Sequence, residues 1–216
     1  MAELTWLGHA CFRLRSRDVT LVFDPVGRQY GYDISKVRAD IVTISHQHAG
    51  HNNVEALKGA FTTIDGPGEY EIKEIFITGI RAYHDDERGQ RYGHNTIYTV
   101  HLEDLVFCHL GDLGHTLTAD QLEQIGPVDV LMVPVGGASL SAARAVEVIS
   151  QIEPGLVVPM HYATGNAPAA GLEPLDKFSR EMGLHDLPVR DRLVVRKSDL
   201  PEESHVQVVV LADRAA

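Results

Sequence analysis

Cysteine is scarce in this sequence: two in 216 residues, Cys11 and Cys108, far apart and in no CxxC pair. A disulfide framework and a cysteine-based zinc site are thereby excluded, and both thiols read as small buried hydrophobes in strands. Long apolar runs are missing too. No stretch approaches the roughly 18 residues that a membrane-crossing helix needs, and the opening MAELTWLGHACFRLR lacks the basic start and apolar core of a secretory signal. The chain reads as soluble and cytoplasmic. Positive charge is in the minority: 19 Lys and Arg against 30 Asp and Glu give a formal net charge of −11, which opposes unassisted binding to nucleic acid or an anionic membrane. There is no GxSxG elbow, and the glycines of GPGEY and VPVGG match neither a Walker loop nor a dinucleotide fingerprint. A serine hydrolase, a P-loop enzyme and a Rossmann oxidoreductase are unsupported.

What is present is an ordinary globular balance, 44% hydrophobic against 23% charged, in a length that suits one core. With no internal repeat, low-complexity tract or dividing linker, residues 1–216 read as a single domain. Alternating or continuous apolar runs predict strands over 3–7, 11–15, 19–24, 40–45, 75–83, 95–102 and 105–110. Thr118 and Gln121 form a capping box that opens a short helix, and Ala142, Ala145, Val146, Ile149 and Ile152 recur at helical spacing. VDVLMVPV and LVVPM are apolar runs of strand length, 172–182 reads as a third helix and 206–211 as a last strand. Early strands followed by helix–strand units predict an α/β fold with central sheets and outer helices. The Ala/Gly/Pro-rich stretch 163–171 reads as a loop beside His161, as easily a plain surface connection as a mobile one.

Twelve histidines are the unusual number. In DIVTISHQHAGHNN, His46, His48 and His51 follow a buried-looking strand; imidazoles at i and i+2 can converge on one cation, while the one at i+5 points towards a second. The alternative, a surface histidine cluster, is weakened by the apolar run ahead of it. Four other apolar runs end in the same way, at Asp24, His84, Asp112 and His161. If those strands lie side by side, their ends form one rim of imidazoles and carboxylates, suited to a divalent cation such as zinc, manganese or iron.

SHQHAGHNN, with His84, the Asp112 of HLGD and the His161 of PMHY, resembles the metallo-β-lactamase superfamily, whose first motif is HxHxDH. TWLGHACFRL, LVFDP, IDGPGEYEI, HLGDLGH and VPVGG are similar to its branch of metal-dependent hydrolases related to ascorbate-phosphate lactonases. The resemblance covers roughly residues 4 to 183. It implies an αββα sandwich with a metal centre at one edge. His46, His48 and His84 would hold a first ion, His51 and His161 would help hold a second, and Asp112 would bridge them. One or two ions are implied, zinc first and manganese, iron or nickel as alternatives, with Asp112 and His51 the residues on which catalysis turns. His9 and Asp24 are expected to orient ligands or substrate rather than to bind metal; otherwise His9 pairs with a neighbouring strand and Asp24 fixes a turn before Pro25.

One position departs from the motif: Gly50 stands where HxHxDH has its aspartate. The second metal position thereby loses a charged ligand, with Asp85 and His115 as candidates to compensate, and Gly50→Asp is expected to raise its occupancy and turnover. His94, His101, His109, His185 and His205 are expected to be structural or on the surface. The resulting expectation is a hydrolase acting on a small-molecule ester, lactone, amide or phosphoester through metal-activated water. A metal-binding protein with little turnover ranks second. A phosphodiesterase or nuclease ranks third; a basic patch including Arg13, Arg15 and Arg17 could serve it, though such alternating placement on a strand more often marks a solvated face. A homo-oligomer remains open.

Overall fold

The structure is a computed structural model that describes residues 1–136, 139–165, 171–185, 187–201 and 206–212. Its first sheet has β1 (Ala2–Gly8), β2 (Cys11–Arg15), β3 (Thr20–Phe23), β4 (Ile41–Thr43) and β5 (Thr62–Ile64) in sequence order, with β13 (Leu193–Val195) on the outer side of β1. A strict period of two sorts their side chains. Leu4, Trp6, Phe12, Leu14, Leu21, Phe23 and Ile41 enter the main core. Leu7, Cys11, Val22 and Val42 point the other way, into a smaller cluster closed by Val26, Tyr32, Ile34 and Leu57.

The second sheet has the order β14 (Gln207–Val208), β11 (Leu156–Met160), β10 (Val130–Pro134), β9 (Leu105–His109), β8 (His94–Leu102), β7 (Ile75–Tyr83), β6 (Gly68–Ile72). β10 and β11 are buried at every residue, as parallel strands covered on both faces must be. α1 (Ala119–Ile125) opens on the predicted Thr118–Gln121 capping box. α2 (Ala142–Ile152) buries Ala142, Ala145, Val148, Ile149 and Ile152 and packs on α3 (Leu175–Glu181). Both sheets and all three helices contribute to one core, so the sheets face each other with helices outside, as the resemblance implies. On the six-stranded sheet the outer layer consists of loops with two 3-10 turns, Arg28–Tyr30 and Val54–Ala56.

Three details differ from the sequence reading. The 206–211 segment breaks into β14, which pairs with β11, and β15 (Val210–Leu211), which pairs with β12 (Val189–Arg190), because Val209 turns into the core between them. In α2 the buried position is Val148, with Val146 only partly covered. β5, β6, β12 and β13 were not anticipated: β5, β6 and β12 expose much of their length, and β13, a three-residue edge strand, buries Leu193 and Val195 but exposes Val194. Both cysteines are buried, unpaired and in strands, as expected. Of the 163–171 loop, residues 166–170 lie outside the described residues, as does His205.

Strand directions decide where the chemistry sits. β1 and β3 are both antiparallel to β2, and β4 is parallel to β3, so β1, β3 and β4 end at the same edge. β7 and β9 are both antiparallel to β8, and β10 and β11 run with β9, so β7, β9 and β11 also end together.

Candidate metal centre

Six strand ends deliver the site. His9 follows β1, Asp24 follows β3, Ser45 and His46 follow β4, His84 follows β7, Asp112 closes the turn after β9 and His161 follows β11. His9, Asp24 and His161 adopt left-handed backbone, with φ of 55°, 42° and 54°. Side chains are uncommon there, so the surrounding contacts must hold these three residues in place. The His9 carbonyl accepts hydrogen bonds from the Trp6 indole at 2.9 Å and from the His161 amide at 3.0 Å, tying the end of β1 to the end of β11 across the sandwich.

Asp112 is the hub. Its Oδ2 lies 3.1 Å from His84 Nε2, 3.3 Å from His51 Nε2 and 3.9 Å from His46 Nε2, and its Oδ1 lies 3.0 Å from His161 Nδ1. The turn that aims it needs Gly111, whose φ is +58° and where a Cβ would sit 2.4 Å from Asn95 Oδ1 and 2.5 Å from Ser45 Cβ. Asn95 fixes the same turn: its Oδ1 accepts from the Asp112 amide and its Nδ2 donates to the Leu110 carbonyl.

Two histidines are oriented from behind by Asp24, which is fully buried. Its Oδ1 accepts from the Ser45 amide at 2.7 Å, and its Oδ2 accepts from Ser45 Oγ at 2.6 Å and from His51 Nδ1 at 2.7 Å. Ser45 Oγ, having donated to Asp24, accepts from His46 Nδ1 at 2.9 Å. Both rings therefore carry their proton on Nδ1 and turn Nε2 towards Asp112. A carboxylate behind a ligand histidine fixes tautomer and direction in this way. Asp24 thus holds the two rings by hydrogen bonds, His51 directly and His46 through Ser45. Ser45 and Asn95 had no signal in the sequence, since a serine and an asparagine beside histidines carry no spacing pattern of their own.

Three groups have ligand atoms within 4.8 Å of one another: His46, His48 and His84; His9, His51 and His161; and Asp24, His46 and His51, the last being the hydrogen-bonded set that orients the two rings. His48 is the exposed member; the others are buried. His46 Nε2, His84 Nδ1, His161 Nδ1 and Asp112 Oδ1 are buried polar atoms that lack a hydrogen-bond partner among the described residues. His161 Nδ1 and Asp112 Oδ1 are close without the alignment of a hydrogen bond, an arrangement in which lone pairs can converge on a cation between them. The donor chemistry, imidazoles with one shared carboxylate, suits a borderline divalent ion.

The proposed compensators lie elsewhere. Asp85 turns its carboxylate onto the amides of Glu87, Gly89, Arg91 and Tyr92, building the following loop. His115 accepts from the Tyr83 amide and donates to the Thr116 carbonyl. His109 is structural, stacked on Phe23 with Nε2 donating to the Ala10 carbonyl. His94, His101 and His185 are exposed. The expectation for Gly50→Asp also needs correction. The backbone at Gly50 is not left-handed, but a Cβ there would lie 2.6 Å from His9 Nε2 and 2.9 Å from His9 Cδ2. The space beside Gly50 is filled by His9, so Gly50→Asp would displace that ring rather than add a ligand to an open position.

Electrostatics set the protonation of the metal-free rings. Burial pushes His46 down to about 3, with His51 adding repulsion. For His51, burial works downward, but Asp112 and Asp24 on its two nitrogens raise it to about 10. Burial also opposes ionisation of Asp112, yet His161 and His51 hold its carboxyl well below the usual range. Metal-free His51 is therefore imidazolium at neutral pH, and a cation can reach its Nε2 only after that proton leaves. Apparent affinity at this position should rise about tenfold per pH unit from pH 6 to 9 as that one proton is displaced, whereas His46, neutral over this range, adds no proton release at the first position. Calorimetry in buffers of different ionisation enthalpy should register the released proton, and pH-independent binding would show that His51 is already neutral.

Beside His46 and His48 opens a pocket of about 420 Å³, lined also by Asp65, Arg81, Tyr92 and His94. That volume admits a small molecule.

Comparison with known proteins adds the following. The family model for the Beta-lactamase superfamily domain matches residues 3–161. A UPF0173 protein of Pyrococcus abyssi is 30% identical over 199 residues, covering 83% of this chain and 90% of its own. A UPF0173 metal-dependent hydrolase of Carboxydothermus hydrogenoformans is 24% identical over 212 residues, covering 84% and 94%. The solved structure of a suggested Zn-dependent hydrolase of the metallo-beta-lactamase superfamily from Thermotoga maritima superposes with a TM-score of 0.77 at 36% identity, covering 98% of this chain and all of the other.

Proposed function

The chain belongs to the beta-lactamase superfamily, and on that premise we propose that it is a metal-dependent hydrolase of a small-molecule ester, lactone, amide or phosphoester. The observation that carries this reading is the convergence of His46, His51, His84 and His161 on Asp112 with His48 alongside, and buried ligand atoms there without hydrogen-bond partners among the described residues. His46, His48 and His84 would hold a first cation, His51 and His161 would contribute to a second, and Asp112 would serve both. A divalent ion there, zinc in our reading, supplies Lewis acidity and lowers the pKa of water from about 15.7 towards about 7. With no carboxylate at residue 50, the second position is the weaker of the two.

The chain's own groups do the rest. Asp24 and Ser45 hold His46 and His51 with Nε2 turned towards Asp112. Asp112 is kept anionic by the imidazoles around it, and its Oδ1, with no hydrogen-bond partner among the described residues, is available to a cation. Arg81 and His94 in the neighbouring pocket can bind a substrate anion. No helix of the described residues is long and apolar enough to cross a membrane. A nucleic-acid track is disfavoured by the charge of −11, and also by topology: β2 runs against β1, so Arg15 and Arg17, in a groove with Lys36, Arg38, Asp18, Asp33 and Asp191, lie towards the edge opposite the metal centre.

The test is elemental analysis of wild type and a His46→Ala/His48→Ala double variant after exhaustive dialysis, paired with hydrolysis of a lactone, ester and phosphodiester panel before and after chelation. Wild type should retain metal and turn over a panel member, and the double variant should lose both. Equal metal content in the two proteins would remove the assignment.

A further inference from the structure

The space next to Gly50 suggests what replaces the missing aspartate. His9 is 7% exposed, stacks on Tyr30 with ring centroids 4.9 Å apart, and places Nε2 2.6 Å from where a Gly50 Cβ would be. A residue-50 side chain would thus have to occupy the volume of the His9 ring, and either could stand there, but not both. The same Nε2 lies 3.1 Å from His161 Nε2. His9, His51 and His161 form a group whose ligand atoms fall within 4.8 Å of one another, the counterpart of His46, His48 and His84 on the other side of Asp112. The left-handed backbone of His9, pinned by two hydrogen bonds to its carbonyl, aims the ring at this group.

We propose that His9 is the third imidazole ligand of the second metal position, taking the coordination place that the aspartate of HxHxDH would fill. The proposal rests on the metal-dependent reading above and replaces the expectation that His9 only orients its neighbours. It makes the two positions near equivalents, each with three imidazoles and a share of Asp112. A neutral ring in place of a carboxylate leaves the second position one negative charge short of one built on HxHxDH. The centre should therefore hold two ions, the second more weakly than the motif's aspartate would hold it, and should favour zinc or another borderline ion over manganese or magnesium. Glycine at 50 is then a steric requirement, because any larger residue collides with His9.

Zinc titrations and metal counts of four proteins test this: wild type, His9→Asn, Gly50→Asp and His9→Gly/Gly50→Asp. Asparagine and glycine both tolerate the backbone at residue 9, so circular dichroism should show all but Gly50→Asp unchanged. Wild type should take up two ions. His9→Asn should keep the first and weaken the second by about a hundredfold or more, the range in which even indirect ligand support is felt. The exchange variant His9→Gly/Gly50→Asp should recover the second ion, whereas Gly50→Asp alone should not tighten it.

A hydrogen bond from His9 to His161 could by itself mimic the loss in His9→Asn. Anomalous diffraction from zinc-loaded wild type separates the two: a His9 ring nitrogen about 2.0–2.1 Å from the second ion is expected. A nitrogen beyond about 3 Å, a second ion undiminished in His9→Asn, or a single-ion wild type would each overturn the proposal while leaving the hydrolase reading standing. No ion in wild type at either position would instead sink that reading itself.

Discussion

Asp112→Asn is expected to abolish high-affinity metal binding at both positions and to bring hydrolysis down to the rate of buffer. The substitution keeps the shape of the side chain and the hydrogen bond from the residue-112 backbone N–H to Asn95 Oδ1, but removes the one negative charge that four histidines approach within 3.0 to 3.9 Å. Thermal denaturation with and without zinc gives the cleanest reading. An ion at a thousandfold excess over its Kd stabilises by about 4 kcal/mol, or about 8–16 °C for a chain of this size. Wild type should show that rise and Asp112→Asn should show almost none. The metal-free variant should melt below metal-free wild type, because His51 loses one of its two carboxylate partners, so the zinc-induced rise and not the baseline is the reading. A zinc-induced rise in Asp112→Asn as large as in wild type would remove Asp112 from the metal centre.

Asp24 should show the second large effect, and two substitutions separate its roles. Asp24→Ala leaves the Ser45 amide, Ser45 Oγ and His51 Nδ1 buried without their acceptor, a loss of about 3–5 kcal/mol that should lower the melting temperature by about 10 °C. Asp24→Asn retains an acceptor for the Ser45 amide and suits the left-handed backbone. Its amide group, however, presents a donor to His51 Nδ1, which moves the ring proton to Nε2 and blocks the nitrogen facing Asp112. This variant should fold and still lose about ten- to a hundredfold in affinity at the second position. Its first position should be disturbed less, because His46 is reached only through Ser45. Unchanged zinc affinity in a folded Asp24→Asn would show that the Asp24–His51 hydrogen bond does not govern the ligand.

The sequence by itself determined the strand-and-helix order and the ends of the buried strands, because apolar periodicity is a local property of the chain. It also marked His46, His48, His51, His84, Asp112 and His161, since each closes an apolar run or sits just beyond one, and a polar residue in that place stands out against its neighbours. The capping box at Thr118 and Gln121 was legible for the same reason: donor and acceptor are three residues apart. The edge strands were not legible, because a strand exposed on one side and paired on the other needs no apolar pattern. Nor was the assignment of roles around the metal centre. His9 and Gly50 are 41 positions apart, and nothing in either segment records that one ring fills the space the other residue leaves. Asp85 and His115 were attractive by proximity in sequence, yet their side chains are committed to a loop and a strand end. Asp24 reaches His46 only through Ser45, a path that exists once β3 and β4 lie parallel. Residue type and local pattern decide which side chains reach the rim, and only the pairing of six strand ends decides which of them face one another.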